Sequence, residues 1–81
     1  MNVEDEVRAV LGNVLQLGPR AASLGRDSRL LGSLPELDSM AVVSVVTALE
    51  DRFGVTFDDD EISADTFSTL GSLIELIETK N

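Results

Sequence analysis

Ser39 is the side chain whose type and position in this sequence most clearly suggest chemistry. It follows Asp38 and stands directly before an apolar run with helical spacing, so Asp38 is expected to cap a helix that Ser39 opens. A phosphodiester on the Ser39 hydroxyl would meet free backbone N–H groups and the positive end of the helix dipole. Capping alone also explains an Asp-Ser pair, because both residues are common caps. The local pattern therefore leaves a modified serine and a simple cap as alternatives.

The composition removes the usual partners of a catalytic serine. The chain contains no histidine and no cysteine, so the commonest general base, thiolate metal ligands and disulfides are all absent. A nucleophilic serine needs a nearby base and a third group that orients it, and no motif places a lysine or a carboxylate in that role. We therefore expect no catalytic residues and no enzymatic activity.

Four consecutive acids, residues 58–61, suggest a calcium loop at first sight. An EF-hand that starts at Asp58 fails, because Ile62 occupies its fifth position and Ser63 stands where glycine is required. Acidic side chains are also favourable in the first turn of a helix, where they face the positive end of its dipole. We predict a helix cap at this turn and no metal site.

The net charge of −9 is distributed unevenly along the chain. Residues 1–29 hold four acids and four bases, so residues 30–81 carry the whole imbalance. An acidic surface repels nucleic acid and attracts basic partner surfaces, although it also serves solubility alone. No apolar run approaches the roughly 18 residues of a membrane span, and the acidic N-terminus has the wrong sign for a signal peptide. We expect a cytoplasmic protein with no nucleic acid partner and no membrane insertion.

Apolar periodicity predicts an all-α fold, a small four-helix bundle with a long first loop and a short third helix, in one domain that spans residues 1–81. The expected elements are a first helix capped by Asn2 and stopped by Gly18-Pro19, a second from about Ser39 to Phe53 closed by Gly54, a short third around Ile62, and a last helix capped by Ser68 or Thr69.

The long loop and the second helix have recognisable apolar positions. Five leucines predict that the loop over residues 18–37 packs on the core: Leu24, Leu30, Leu31, Leu34 and Leu37. In the second helix, the inward face is predicted to contain Val42, Val45, Val46, Leu49 and Phe53. Met40, Val43 and Thr47 lie on another face, where they either contact a partner or pack beneath the loop.

The run LGSLPELDSMAVVSVVTALEDRFG, residues 31–54, resembles the core of acyl carrier proteins. The matching features are Asp38-Ser39-Met40, the Ala48-Leu49-Glu50 run, the acidic Asp51, and Phe53. The run FSTLGSLIELIE, residues 67–78, is similar to the last helix of that family. The resemblance therefore covers nearly the whole chain.

The resemblance implies a four-helix carrier domain with 4′-phosphopantetheine joined to Ser39, preceded by Asp38. A phosphopantetheinyl transferase would install the arm from coenzyme A, and the thiol of the arm would hold an acyl group as a thioester. The other implied partners are an acyl-activating ligase and acyl-transferring or condensing enzymes, with the carrier as a monomer. Partners would contact Met40, Val43 and Thr47 as apolar groups and Glu50 and Asp51 as charges. An acyl chain between the helices would be lined by Val45, Val46, Phe53 and Ile62.

Two departures from the family pattern bear on the pathway. Carriers of fatty acid synthesis usually have carboxylates soon after the modified serine, where this chain has Ala41 and Ser44. The lead-in Leu34-Pro35-Glu36-Leu37 differs from the common glycine-containing one and is similar to carriers that accompany dedicated acyl-activating ligases. We therefore expect a specialised lipid, polyketide or exopolysaccharide-linked pathway. The alternatives are an aminoacyl or peptidyl carrier and an unmodified acidic helical adaptor.

Overall fold

The computed structural model describes residues 2–80. All of the regular secondary-structure elements in these residues are helices. In chain order the elements are helix α1 (Val3–Val14), a first 3-10 helix (Gly18–Ser23), helix α2 (Ser39–Phe53), a second 3-10 helix (Asp59–Glu61) and helix α3 (Leu70–Lys80). In these residues the one pairing of extended backbone is an isolated bridge between Arg29 and Thr69. The all-α prediction is confirmed, and the predicted short third helix is a single 3-10 turn that ends just before Ile62.

Helix α1 begins where the sequence predicts and ends earlier. Asn2 Oδ1 accepts the backbone N–H of Asp5 at 2.8 Å, which makes Asn2 the N-cap. The expectation that Gly18-Pro19 stops this helix is wrong, because the helix already ends at Val14. Gln16 adopts a φ of 54°, in the left-handed region that a helix cannot continue through. The proline instead stands in the first turn of the 3-10 helix, where its missing N–H costs nothing.

Helix α2 has the predicted bounds. Gly54 closes it with φ 66° and ψ 36°, and its N–H donates to the carbonyl of Glu50 at 2.9 Å. Of the five side chains predicted to face inward, three are buried and two are half-buried. The buried ones are Val45, Val46 and Leu49, and the half-buried ones are Val42 and Phe53.

The segment before α2 runs antiparallel to the residues that open α3. The N–H groups of Leu30 and Leu31 donate to the carbonyls of Ser68 and Phe67, each at 3.0 Å. Farther along, the N–H of Leu70 donates to the carbonyl of Ser28, again at 3.0 Å. These bonds tie the long loop to the segment that opens the last helix.

Four of the five loop leucines pack on the core as predicted, and one does not. Leu30 and Leu37 are buried, and Leu24 and Leu34 are half-buried. Leu31 is 39% exposed, so its predicted place in the core is wrong. Adjacent residues in extended backbone point to opposite sides, so the burial of Leu30 turns Leu31 outward.

Helix α3 is capped by Thr69, one of the two predicted candidates. Thr69 Oγ1 accepts the N–H of Ser72 at 3.1 Å, and Ser72 Oγ accepts the N–H of Thr69 at 3.2 Å. This reciprocal pair has the geometry of a capping box.

Side chains of all three α-helices meet in one core, together with residues of the connecting segments. The buried set is Val7, Val10, Leu11, Leu15, Leu17, Leu30, Leu37, Val45, Val46, Leu49, Phe57, Phe67, Leu70, Leu73, Ile74 and Ile77. Within residues 2–80, no helix combines the length and the apolar character that crossing a bilayer requires.

Candidate functional site

Ser39 is the first residue of α2, and its side chain is exposed. Asp38 is the N-cap: its Oδ1 accepts the N–H of Ala41 at 2.8 Å, and its carbonyl accepts the N–H of Val42 at 2.9 Å. The Ser39 hydroxyl makes no hydrogen bond to any group in residues 2–80, so it does not act as the cap. Asp38 therefore performs the capping, and the neighbouring hydroxyl is free for chemistry.

The backbone at this helix opening favours a negative charge on Ser39. The N–H groups of Ser39 and Met40 precede the first intrahelical bond and have no hydrogen-bond partner among the described residues. Such N–H groups, together with the helix dipole, form a favourable environment for a phosphate. A phosphodiester on Ser39 fits this position without displacing an existing contact.

An ion pair fixes the approach to Ser39. Glu36 lies three residues before it and pairs with Arg20 of the first 3-10 helix. Its own backbone amide and the Arg20 guanidinium hold the pKa of the Glu36 carboxyl below its ordinary value. The buried side chain of Leu37 anchors the next position in the core. The lead-in to the serine is therefore held by one charged and one apolar contact.

A mainly apolar cavity of about 360 Å³ opens beside Ser39. Its lining comes from the loop, the start of α2 and the segment after the second 3-10 helix: Leu31, Ser39, Val42, Val43, Ile62, Ser63, Ala64 and Phe67. Ile62 alone of the four implied acyl-lining residues lines this cavity. Val45 and Val46 are buried in the core, and Phe53 lies at the far end of α2. Sequence reasoning missed the exposure of Leu31, although the adjacent pair Leu30-Leu31 was a usable signal.

The apolar residues predicted to contact partners share an exposed surface next to Ser39. Met40 is 76% exposed, Val43 is 59% exposed and Thr47 is also exposed. Their i, i+3, i+7 spacing places them on one face of α2. Leu31 adds to this surface from the loop, since Leu31 and Val43 line the same cavity.

The two predicted contact charges lie in different environments. Glu50 is half-buried, and its Oε2 accepts the N–H of Phe57 at 2.8 Å, so it serves the fold. Asp51 is exposed beside Arg52, whose guanidinium pairs with Glu6. The structure therefore brings the apolar contact residues together near Ser39 and leaves the charges at the other end of the helix.

The acidic turn at residues 58–61 has the capping role that the sequence predicts. Glu61 Oε1 accepts the N–H of Asp58 at 2.9 Å and pairs with Lys80 Nζ at 2.6 Å. These contacts hold the pKa of the Glu61 carboxyl below its ordinary value, with the lysine contributing most. Within residues 2–80, no three acidic side chains converge closely enough to bind a metal ion.

Comparisons with known proteins agree with this geometry. A family model described as a phosphopantetheine attachment site matches residues 5–77. An acyl carrier protein of Campylobacter hominis is 35% identical over 81 residues, covering 100% of this chain and 96% of that protein. An acyl carrier protein of Wolinella succinogenes is 30% identical over 79 residues, covering 98% and 97%.

A solved structure gives the same fold. The solution NMR structure of a holo acyl carrier protein from Nitrosomonas europaea superimposes with a TM-score of 0.91 at 57% sequence identity, and the match covers 98% of this chain and 95% of that one. The family match and the holo form of the solved structure support the same prosthetic group, and the helix opening at Ser39 fits it. The chain therefore belongs to the acyl carrier protein family, and its cofactor is phosphopantetheine.

Proposed function

We propose that Ser39 Oγ is the attachment point of the phosphopantetheine arm and that the chain carries acyl groups between partner enzymes. The observation that supports this most strongly is the unbonded, exposed hydroxyl at the first residue of α2, inside the matched family region. When attached, the arm supplies a terminal thiol that holds the acyl group as a thioester. Asp38 keeps the helix opening formed, and the free N–H groups there stabilise the phosphate charge.

The protein acts in this proposal as a carrier and not as a catalyst. The chain has no histidine and no cysteine, so it lacks the groups that usually activate a serine or form a covalent intermediate. Its partners are a phosphopantetheinyl transferase and enzymes that load, transfer or condense acyl groups, and it meets them as a monomer.

Intact mass spectrometry tests the attachment. The protein is incubated with coenzyme A and a broad-specificity phosphopantetheinyl transferase, and one added phosphopantetheine is expected. Ser39→Ala should abolish the gain completely, while Ser44→Ala, another exposed serine of α2, should retain it. An unchanged mass in the wild type, when a known carrier is modified in the same tube, would refute the proposal and favour the unmodified adaptor.

Loading the modified protein with fatty acids and with amino acids, under matched ligases, separates an acyl from an aminoacyl carrier.

We further propose a specialised acyl pathway as the setting. The eleven residues from Ser39 to Leu49 contain no charged side chain, although the chain as a whole has a net charge of −9. Nearby carboxylates have internal partners: Asp38 accepts from Ala41, and Glu36 pairs with Arg20. A partner that recognises acidic groups just after the serine would have none to contact on this chain. The partners of this chain are therefore proposed to recognise its apolar surface.

A further inference from the structure

The cavity beside Ser39 adjoins a second groove that leads towards Arg29. This groove has a volume of about 430 Å³, and its lining is Arg29, Leu31, Ala64, Asp65, Ser68 and Thr69. Leu31 and Ala64 also line the cavity that contains Ser39. The two cavities therefore form a path over the surface, with Ser39 at one end and Arg29 at the other.

The backbone holds Arg29 at the end of this path. Arg29 is bridged to Thr69, and the N–H of the next residue, Leu30, donates to the carbonyl of Ser68 at 3.0 Å. The side chain of Arg29 is exposed. Its position thus depends on a hydrogen-bonded segment, while its guanidinium remains accessible to a ligand.

Arg29 differs from the other basic residues in its charge contacts. Across residues 2–80, each of the other five basic side chains forms an ion pair: Arg8, Arg20, Arg26, Arg52 and Lys80. Arg29 forms none with a described residue, and neither does Asp65 in the same groove. In a chain with 15 acids and 6 bases, an arginine with no ion-pair partner is unusual, whereas most of the acids necessarily lack one.

The groove therefore offers a strong donor, a strong acceptor and an apolar stretch between them and Ser39. A purely anionic ligand would be repelled by Asp65, and a cation would be repelled by Arg29. A secondary amide suits both, because its carbonyl accepts and its N–H donates. Phosphopantetheine contains two such amides. Close to its phosphate it also has an apolar geminal dimethyl group, which suits the apolar side chains of Leu31 and Ala64.

We propose that this groove is a resting site for the phosphopantetheine arm. Arg29 donates to an amide carbonyl of the arm, Asp65 accepts an amide N–H, and Leu31 and Ala64 contact the dimethyl group. The inference rests on the proposed attachment at Ser39, because only an arm that starts there enters the groove from this side.

NMR spectroscopy of isotope-labelled protein before and after modification tests the resting site. The expected result is a shift of the Arg29 Nε–Hε resonance and of the backbone amides of Leu31, Ala64 and Asp65. In Arg29→Gln, the modification-induced shifts at Ala64 and Asp65 should fall to a small fraction of their wild-type size. The matched control is Arg52→Gln, since Arg52 is exposed and lines neither cavity of the path; its shifts should equal those of the wild type.

Intact mass, measured on each sample before the spectra, separates the two ways to fail. A missing mass gain refutes the attachment at Ser39 and the resting site with it. A full mass gain, with shifts confined to residues 38–42 and an unmoved Arg29 Nε–Hε resonance, refutes the resting site alone. Equal shifts in the wild type and Arg29→Gln would also refute it.

Discussion

Glu50 shows how a residue of α2 that the sequence suggests for partner contact can instead serve the fold. Its Oε2 accepts the N–H of Phe57, a buried residue seven positions away. Helical spacing places Glu50 on an exposed face beside Asp51, and nothing in that spacing indicates the bond to Phe57. The bond depends on how residues 55–57 fold back, which is tertiary information. Asp38 and Ser39, in contrast, were predictable because capping is local.

Removing the Glu50 carboxylate should therefore destabilise the protein. Glu50→Ala leaves the Phe57 N–H without its partner, and we expect a loss of about 1–2 kcal/mol in the free energy of unfolding. Glu50→Gln keeps an acceptor oxygen and should recover most of that loss. Asp51→Ala, which removes an exposed carboxylate one residue away, is the control and should change stability little. Urea unfolding measures all three, and equal effects at the two positions would contradict the role given to Glu50.

Glu61 gives the stability a predictable pH dependence. Lys80 and the N–H of Asp58 lower its pKa in the folded protein from an ordinary value of 4.5. A lowered carboxyl pKa means that the folded state binds the proton less readily than the unfolded state. The stabilisation is thus fully present above pH 4.5 and is lost as the pH falls through the lowered pKa.

The test compares the wild type with Glu61→Gln by urea unfolding at about pH 7 and about pH 3. The variant should be less stable at the higher pH, and the difference should shrink at the lower pH. Thr79→Ala, on the same end of α3, alters no carboxyl group and provides the control for helix effects. If the stability difference between the wild type and Glu61→Gln grew on acidification, the result would contradict a lowered pKa for the Glu61 carboxyl.

At the scale of elements, close backbone approach explains a glycine that helix propensity disfavours. Gly71 lies in α3, and its N–H donates to the carbonyl of Arg26 at 2.8 Å. A Cβ at this position would lie 2.9 Å from the same carbonyl oxygen and 3.4 Å from the Arg26 Cβ. The obstacle is backbone, which cannot move aside as easily as the end of a flexible side chain.

Gly71→Ala should therefore destabilise the protein by about 1–2 kcal/mol, because overpacking outweighs the gain of about 1 kcal/mol in helix propensity. Gly25→Ala is the control, since nothing lies within 4 Å of its added Cβ, and it should change stability little. Thermal unfolding distinguishes the two. A higher melting temperature for Gly71→Ala would show that the loop at Arg26 yields to the new methyl group.

Element bounds were predictable where apolar period and caps agree, and less so elsewhere. Helix α2 matches from Ser39 to Phe53, because Asp38 and Gly54 mark both ends. The end of α1 was predicted too late, because the left-handed backbone of Gln16 has no sequence signal of its own. The helical spacing of apolar residues indicates which face of a helix is buried. Where a helix ends in a turn without glycine, the position of that end depends on tertiary packing.

At the scale of the whole molecule, the exposed face of α2 that begins at Ser39 is apolar although the chain is acidic. The net charge of −9 alone suggests partners that are attracted by an acidic surface. The folded arrangement changes this expectation, since Ser39 is surrounded by Met40, Val43 and Leu31, the three large exposed apolar side chains of residues 2–80. Sequence order shows the uncharged run, but only the fold shows that Leu31 joins it.

Association with an acyl-handling partner or the transferase should therefore depend more on apolar contact than on salt. We expect the KM of the transferase for this carrier to change less than about threefold between about 0.05 and 0.3 M salt. Met40→Ala should raise that KM by about fivefold or more, because it removes a central apolar contact. Glu75→Gln, which removes an exposed charge of α3 that lines neither cavity near Ser39, is the control and should leave KM unaltered. A steep salt dependence with no effect of Met40→Ala would contradict the apolar mode of docking.

The pairing of residues 28–31 with residues 67–70 has a consequence for how the protein is made. The two segments are about forty positions apart, so this part of the loop that leads to Ser39 finds its partner only after residues 67–70 have emerged from the ribosome. A nascent chain that has reached only residue 66 already contains the serine but lacks the segment that pairs with residues 28–31. If the arm is attached at Ser39 as proposed, we expect attachment to the folded site to follow the synthesis of residues 67–70.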